Sequence, residues 1–287
     1  QRALTAALDH ITGDGIRYAW LLAPGSSPAP RALAALHETA SRSRSAAIVA
    51  PKVRTAQSPA RLLSVGYPLT TAGRWVPRPR VGESDQGQYD DRSDVLAAST
   101  VGALIDLAVL REVGGHAPRL SRPADAVAAD VDLGWRLHRL GHRVLLEPRA
   151  VVDISPEDAA RSGLGELPAS ARRHLRSIAL GAVPLAGWPI RILAVLGTAL
   201  ATAILMLLGK RPAAAVRELI DGLAVLRLGR AGSARRRFAT RHKVSRRGLS
   251  QLFVTRDDAR DQLIDDVIPT VRQKSAGTRQ DQQLRGE

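Results

Sequence analysis

The 287-residue sequence contains no cysteine, which excludes disulfides, thiolate metal sites and cysteine nucleophiles together. Aromatic residues are 3% of the chain: four Trp, three Tyr and two Phe. That is too few for a platform of rings on which bases or sugars stack, so aliphatic packing has to carry the fold. Acidic residues are outnumbered, 27 Asp and Glu against 42 Lys and Arg, for a net charge of +15. Such a surplus fits a nucleic-acid partner, an anionic membrane or a generally basic composition, and its distribution along the chain decides which. No basic stretch followed by an apolar stretch and a cleavage site stands before the first helical pattern, and the chain is expected to be a fragment of a longer protein.

What is present is 45% hydrophobic and 24% charged residues, sufficient for one full core with an appendage. Residues 1–156 alternate strand-like and helix-like segments separated by Pro and Gly, a pattern that predicts an α/β domain. Strands are expected over 18–23, 46–50, 95–105, 144–146 and 150–154, and helices over 30–40 and 107–113. Gly66, Pro68, Gly73, Pro77 and Pro79 make 62–79 a hairpin or ordered loop. The run 130–140 opens on Asp130 and Asp132, carries Leu133, Leu137 and Leu140 at helical spacing and stops at Gly141; it predicts a helix whose first turn holds both carboxylates.

Residues 157–228 change character. Arg172, Arg173 and Arg176 precede thirteen uncharged residues, 178–190; Arg191 interrupts, and eighteen more follow, 192–209. Eighteen residues just reach across a hydrocarbon core of about 30 Å. Positive charge on both flanks points to a re-entrant hairpin or a helix lying in the interface, with a full crossing as the alternative. Between residues 161 and 250 stand 17 Lys and Arg against Glu166, Glu218 and Asp221, which locates the positive charge next to the apolar stretch. Polybasic segments beside a membrane gain about 1 kcal/mol per residue from anionic lipid; a nucleic-acid arm is the competing reading. The segment 229–287 is basic and then polar, and disorder is expected at its end. His10, His37, His138, His142, His174 and His242 show no metal-ligand spacing.

One constellation carries chemistry. Gly114-Gly115 is followed by fourteen residues, then Asp130-Val131-Asp132-Leu133-Gly134-Trp135-Arg136, then Gly141-His142-Arg143 and a strand reaching Asp153. In this order and spacing, over about residues 15–255, the chain resembles the family 2 glycosyltransferases of the GT-A fold. Trp20-Leu21-Leu22, Pro51-Lys52-Val53, Gly66-Tyr67 and the stretch from Asp85 to Asp90 are similar to a membrane-attached actinobacterial branch.

The resemblance implies an incomplete GT-A-like, Rossmann-like mixed sheet with covering helices, followed by C-terminal membrane-associated helices. It implies inverting transfer from a nucleotide-sugar donor to a cell-envelope glycan or lipid-linked acceptor at the cytoplasmic face of an anionic cell membrane, with nucleic acid not a partner. By position Asp130 becomes the catalytic base; its competing reading is a helix cap. Asp132, Arg136, Gly114 and Gly115 become substrate-binding, Arg136 pairing either with a diphosphate or with Asp132 at i+4; Trp135 reads as core. The family also implies a divalent cation, Mg or Mn. Its aspartates correspond to Ala23, Pro24 and Gly25 here, and Asp153, where the family has histidine, is the remaining candidate ligand. The family's donor-binding units would precede this chain. The replaced aspartates also suit a catalytically silent membrane scaffold.

Overall fold

The structure, a computed structural model, describes residues 15–259 except 58, 77, 81, 92, 116–122, 166, 239–243, 245 and 256. The polar tail and the residues just after Gly115 fall outside that set.

Two long strands form the middle of a mixed sheet. β3 (Ala46–Thr55) and β7 (Arg143–Ile154) run parallel, and both are mostly buried, as strands covered on two faces are. Around them the order is β1-β6-β3-β7-β2, with β1 (Tyr18–Trp20), β2 (Ser26–Pro28) and β6 (Leu104–Asp106) antiparallel to their neighbours. β4 (Leu62–Ser64) pairs with β3, and β5 (Asp94–Val95) with β7. The strands expected over 144–146 and 150–154 are thus one strand. Its ladder skips at Pro51, where the partner jumps from Glu147 to Val151; proline has no N–H to offer, and a register shift is where a strand tolerates it. The expected strand over 95–105 divides instead into β5, an eight-residue loop and β6.

Alternation along β3 sends neighbouring side chains to opposite faces. Val49 packs under α1 (Ala32–Arg42) with Leu36 and Leu145, while Ile48 and Ala50 meet Leu133 and Leu137 of α3 (Ala126–Arg139). α2 (Leu107–Glu112) follows β6 directly; Asp106 caps it, accepting from the N–H groups of Ala108 and Val109. The outer side of α3 is covered in turn: Val127, Val131 and Trp135 join Leu175, Ile178 and Phe238. Burial on both sides explains why almost every residue from Val127 to His138 is inside.

α3 begins four residues before the expected start. A turn of 3₁₀ helix over Pro123–Asp125 leads into Ala126–Ala129, three of them alanine, the best helix former. Asp130 therefore lies in the second turn, away from the helix terminus, and the reading of it as a cap is withdrawn.

The next helices correct the expected membrane segments. The thirteen-residue run 178–190 is split between α5 (Ala169–Gly181), which is buried, and α6 (Trp188–Leu208), with Pro184 in the turn between them; α4 (Pro156–Arg161) precedes both. Arg191 does not interrupt α6: it sits in the first turn, with Nη1 donating to the Thr71 carbonyl at 2.9 Å. Lys210, at φ +56°, turns the chain into α7 (Pro212–Leu223), and α8 (Leu228–Phe238) then returns to α5. The flanking arginines are engaged inside the protein. Arg172 and Arg173 share the buried Asp221, and Arg176 pairs with Glu218, all bridging α5 to α7.

Two histidines give the fold a pH dependence. His138 is buried, and its Nε2–H donates to the Val95 carbonyl at 2.9 Å, since a carbonyl can only accept. Burial pushes its pKa below 6.5, against the opposing pull of Val95 and Asp94. His174 is lowered in the same way by burial, with Asp125 opposing. A lowered folded pKa means stability that is complete above about 6.5 and is lost as pH falls through the folded values. The urea midpoint is expected to drop between pH 7.5 and pH 5, and His138→Gln is expected to shrink that drop. An unchanged drop in the variant removes His138 from the account.

Candidate functional site

Asp130 is 5% exposed. Its carboxylate faces the loop between β5 and β6, accepting from Thr100 Oγ1 at 3.3 Å and from the Thr100 N–H at 3.4 Å, both at the long end for hydrogen bonds. The loop is shaped by Gly102, whose φ of +76° and contact with Pro51 and Val152 leave no room for a side chain.

Tyr67 completes the surroundings. It follows Gly66, at φ +94°, and its N–H donates to the Ala97 carbonyl. Burial pushes the phenol far above its ordinary 10; the negative charge of Asp130 adds to the rise, and hydrogen bonds with Ser99 and Ser64 oppose it. The phenol is neutral at ordinary pH, in the field of the Asp130 carboxylate. Asp130, Tyr67, Ser99 and Thr100 thus make a polar cluster within an apolar interior. The sequence reading left Ser99 and Thr100 without a role, although two hydroxyl residues inside the apolar run 95–105 were the available signal.

The approach of α3 to this loop depends on a missing side chain. A Cβ at Gly134, one turn after Asp130, would press into the Leu96 carbonyl oxygen and stand 2.9 Å from the Ala97 Cβ. Backbone cannot yield as a flexible side chain does. Gly134→Ala is expected to lower stability by about 1–3 kcal/mol, outweighing the gain of about 1 kcal/mol in helix propensity, as a fall in urea midpoint at unchanged m. A midpoint equal to wild type shows that moving the loop aside costs no more than the gain in helix propensity, about 1 kcal/mol.

Asp132 belongs to a different network. It is fully buried, accepting from Arg136 Nε at 2.9 Å and from Arg237 Nε and Nη2 at 3.0 and 2.6 Å. Arg136 spends Nη1 on the Val113 carbonyl at 2.7 Å and Nη2 on the Gly115 carbonyl at 2.6 Å. Of the two pairings open to Arg136, the structure has the one with Asp132. Gly114 and Gly115, at φ +74° and +65°, form the turn that this guanidinium holds. Trp135 is core, packed edge-on to Phe253 and beside Phe238.

Among the described residues, those that the resemblance offers as ligands do not fit a divalent cation. Asp153 lies beside Arg54 in the β3–β7 register, and both its oxygens accept from that guanidinium, at 2.9 and 3.2 Å. Ala23, Pro24 and Gly25 offer no ligating side chain; the carboxylate nearest Gly25 is Asp158, bonded to Ser155 and Arg161. No group of three His, Cys, Asp or Glu suited to a metal occurs among the described residues. The Asp85-to-Asp90 stretch instead holds the buried Lys52, whose ammonium lies 2.9 Å from Asp85 and 2.5 Å from Asp90.

Two cavities lie near these elements. One of about 320 Å³ is bounded by Gly66, Tyr67, Asp94 and the segment from Gln251 to Thr255; the other, about 290 Å³, runs along α6 from Arg191 to Leu205 beside Thr70–Arg74. Asp130 lines neither, and Tyr67 lines the first. Comparison with protein-family models and with curated proteins finds no match to the chain.

Proposed function

We propose that the chain is the acceptor-side part of a membrane-attached, GT-A-like glycosyltransferase of family 2. It would move a sugar, with inversion, from a nucleotide-sugar donor to a cell-envelope glycan or lipid acceptor at the cytoplasmic face of the membrane. The observation that supports this reading is the position of Asp130 on α3. It accepts from the Thr100 hydroxyl, and its charge is felt by the Tyr67 phenol. A general base is a carboxylate held on a rigid element, and this reading gives that role to Asp130, with the acceptor reaching it past the 96–103 loop.

In this reaction the acceptor hydroxyl oxygen attacks the anomeric carbon as the bond from that carbon to the donor phosphate oxygen breaks. The hydroxyl proton passes to Asp130, and the nucleoside diphosphate departs with the bonding electron pair. No step is routed through a metal. Asp132, Arg136, Gly114 and Gly115 are positioning residues that hold α3 and the 113–115 turn. The experiment is transfer from radiolabelled nucleotide sugars by the full-length gene product in membranes, wild type against Asp130→Asn. Loss of transfer in the variant is expected; equal transfer by both overturns the assignment.

A second reading, a catalytically silent membrane scaffold, is favoured by Ala23-Pro24-Gly25, and a wild type that transfers nothing supports it. The nucleic-acid reading loses ground with two of its arginines, since Arg235 donates to the Val183 carbonyl and Arg237 to Asp132.

A further inference from the structure

Leu185–Leu208 is long and apolar enough to cross a membrane, with a mean hydropathy of 2.2 over its best window, yet only 22% of that window is buried. A core helix of a soluble domain would be mostly covered; α6 is covered on one side only. Val195, Ala199, Thr202 and Ala203 face the protein, while Ile190, Leu193, Leu200, Ile204, Leu207 and Leu208 are exposed, Leu208 by 75%. Their spacing of three and four places them on one stripe. α7 leaves Val216, Ile220 and Leu223 exposed in the same manner. So large an exposed apolar surface marks a contact with something apolar.

The charges beside this surface identify what it meets. Between residues 167 and 238 the only acids are Glu218 and Asp221, and both are taken up by Arg176, Arg172 and Arg173. Lys210, Arg211, Arg217, Arg227, Arg230 and Arg236 are all exposed. Exposed leucine bordered by exclusively positive exposed charge complements an anionic bilayer, hydrocarbon against leucine and headgroup phosphate against guanidinium.

The packing also decides how the helix lies. The first half of α6 is held: Arg191 is bonded to Thr71, Val195 packs with Ala72, Leu180 and Val225, and Ala199 lies so close to Gly222 of α7 that a Cβ there would stand 2.5 Å away. α7 is twelve residues, about 18 Å, too short to span. It is tied to α5 by the three arginine bridges, so sending α6 across a bilayer would carry those ionic groups to hydrocarbon depth, where charge is strongly disfavoured. We propose that α6 and α7 form an in-plane anchor, embedded by their exposed stripes in one leaflet of an anionic membrane without crossing it. The proposal specifies the membrane attachment of the function proposed above and does not depend on sugar transfer.

The absence of native cysteine makes the test clean. The full chain with Leu193→Cys, Leu200→Cys or Leu207→Cys, each carrying a nitroxide, is floated with vesicles of phosphatidylcholine alone or mixed with phosphatidylglycerol, and nitroxide depth is read by paramagnetic resonance. Binding to the anionic vesicles is expected to exceed that to neutral ones by more than about tenfold, with the three labels at one shallow depth. Successive labels deepening by about 10 Å, the rise of seven helical residues, overturn the proposal in favour of a crossing. Failure to float, or labels that remain in water, overturns it in favour of a protein partner. No sugar donor enters this experiment, so its failure is distinct from a failure of the transfer assay.

Discussion

Asp132→Ala is expected to be the most destabilising single change in the chain, lowering the free energy of unfolding by about 3–5 kcal/mol, the usual cost of removing one member of a buried ionic group. Asp132 is the common counter-charge of Arg136, itself buried, and of Arg237. Without it two guanidiniums are left facing each other, and Arg136 also loses the anchor that aims it at the carbonyls of Val113 and Gly115. Urea unfolding followed by circular dichroism measures the effect. The control is Arg237→Ala, which leaves the Asp132–Arg136 pair intact and is expected to cost less. A loss below about 1 kcal/mol in Asp132→Ala, the range of exposed ion pairs, shows that the network is solvated in solution.

Asp130→Asn is expected to keep the fold and abolish the chemistry. The amide is the same size as the carboxylate and can still bond to Thr100, so the cost in stability should not exceed one hydrogen bond, about 1 kcal/mol. It cannot accept a proton, and transfer is expected to fall by about 10²–10⁴-fold, the usual contribution of a general base. The loss should appear in kcat with little change in KM, because the base acts on the transition state. Tyr67→Phe supplies the contrast: it removes the neutral hydroxyl beside Asp130 without touching the carboxylate, and a smaller loss is expected. Equal losses in both variants, each with a lowered midpoint, indicate a cluster that holds structure and performs no proton transfer.

The elements legible in the sequence are those whose signal is local. The apolar run of β3 and the helical spacing in α1 each lie within a dozen residues. The boundaries that were missed depended on distant partners. Asp130 resembled a helix start because acids favour first turns, yet α3 extends upstream since Ala126–Ala129 find α5 to pack against. The run 178–190 read as one apolar segment because nothing local shows that its first residues face α8 and its last begin a separate helix. Arg172, Arg173 and Arg176 read as surface charge, and their carboxylates stand more than forty residues away. At the candidate site, Asp130 was visible through a motif, whereas Tyr67 and Thr100 arrive from loops whose meeting is a property of the folded sheet.

The bridge from Arg237 to Asp132 joins positions 105 residues apart. It ties α8, beyond α6 and α7, to the helix that bears Asp130, so α8 doubles as a clasp on the sheet-bearing half. Shortening the gene ahead of that clasp would disturb Asp132 directly, and the soluble-looking piece 1–156 should not survive alone as a native unit. Calorimetry of the intact protein should accordingly record a single endotherm, the helical appendage and the sheet melting together.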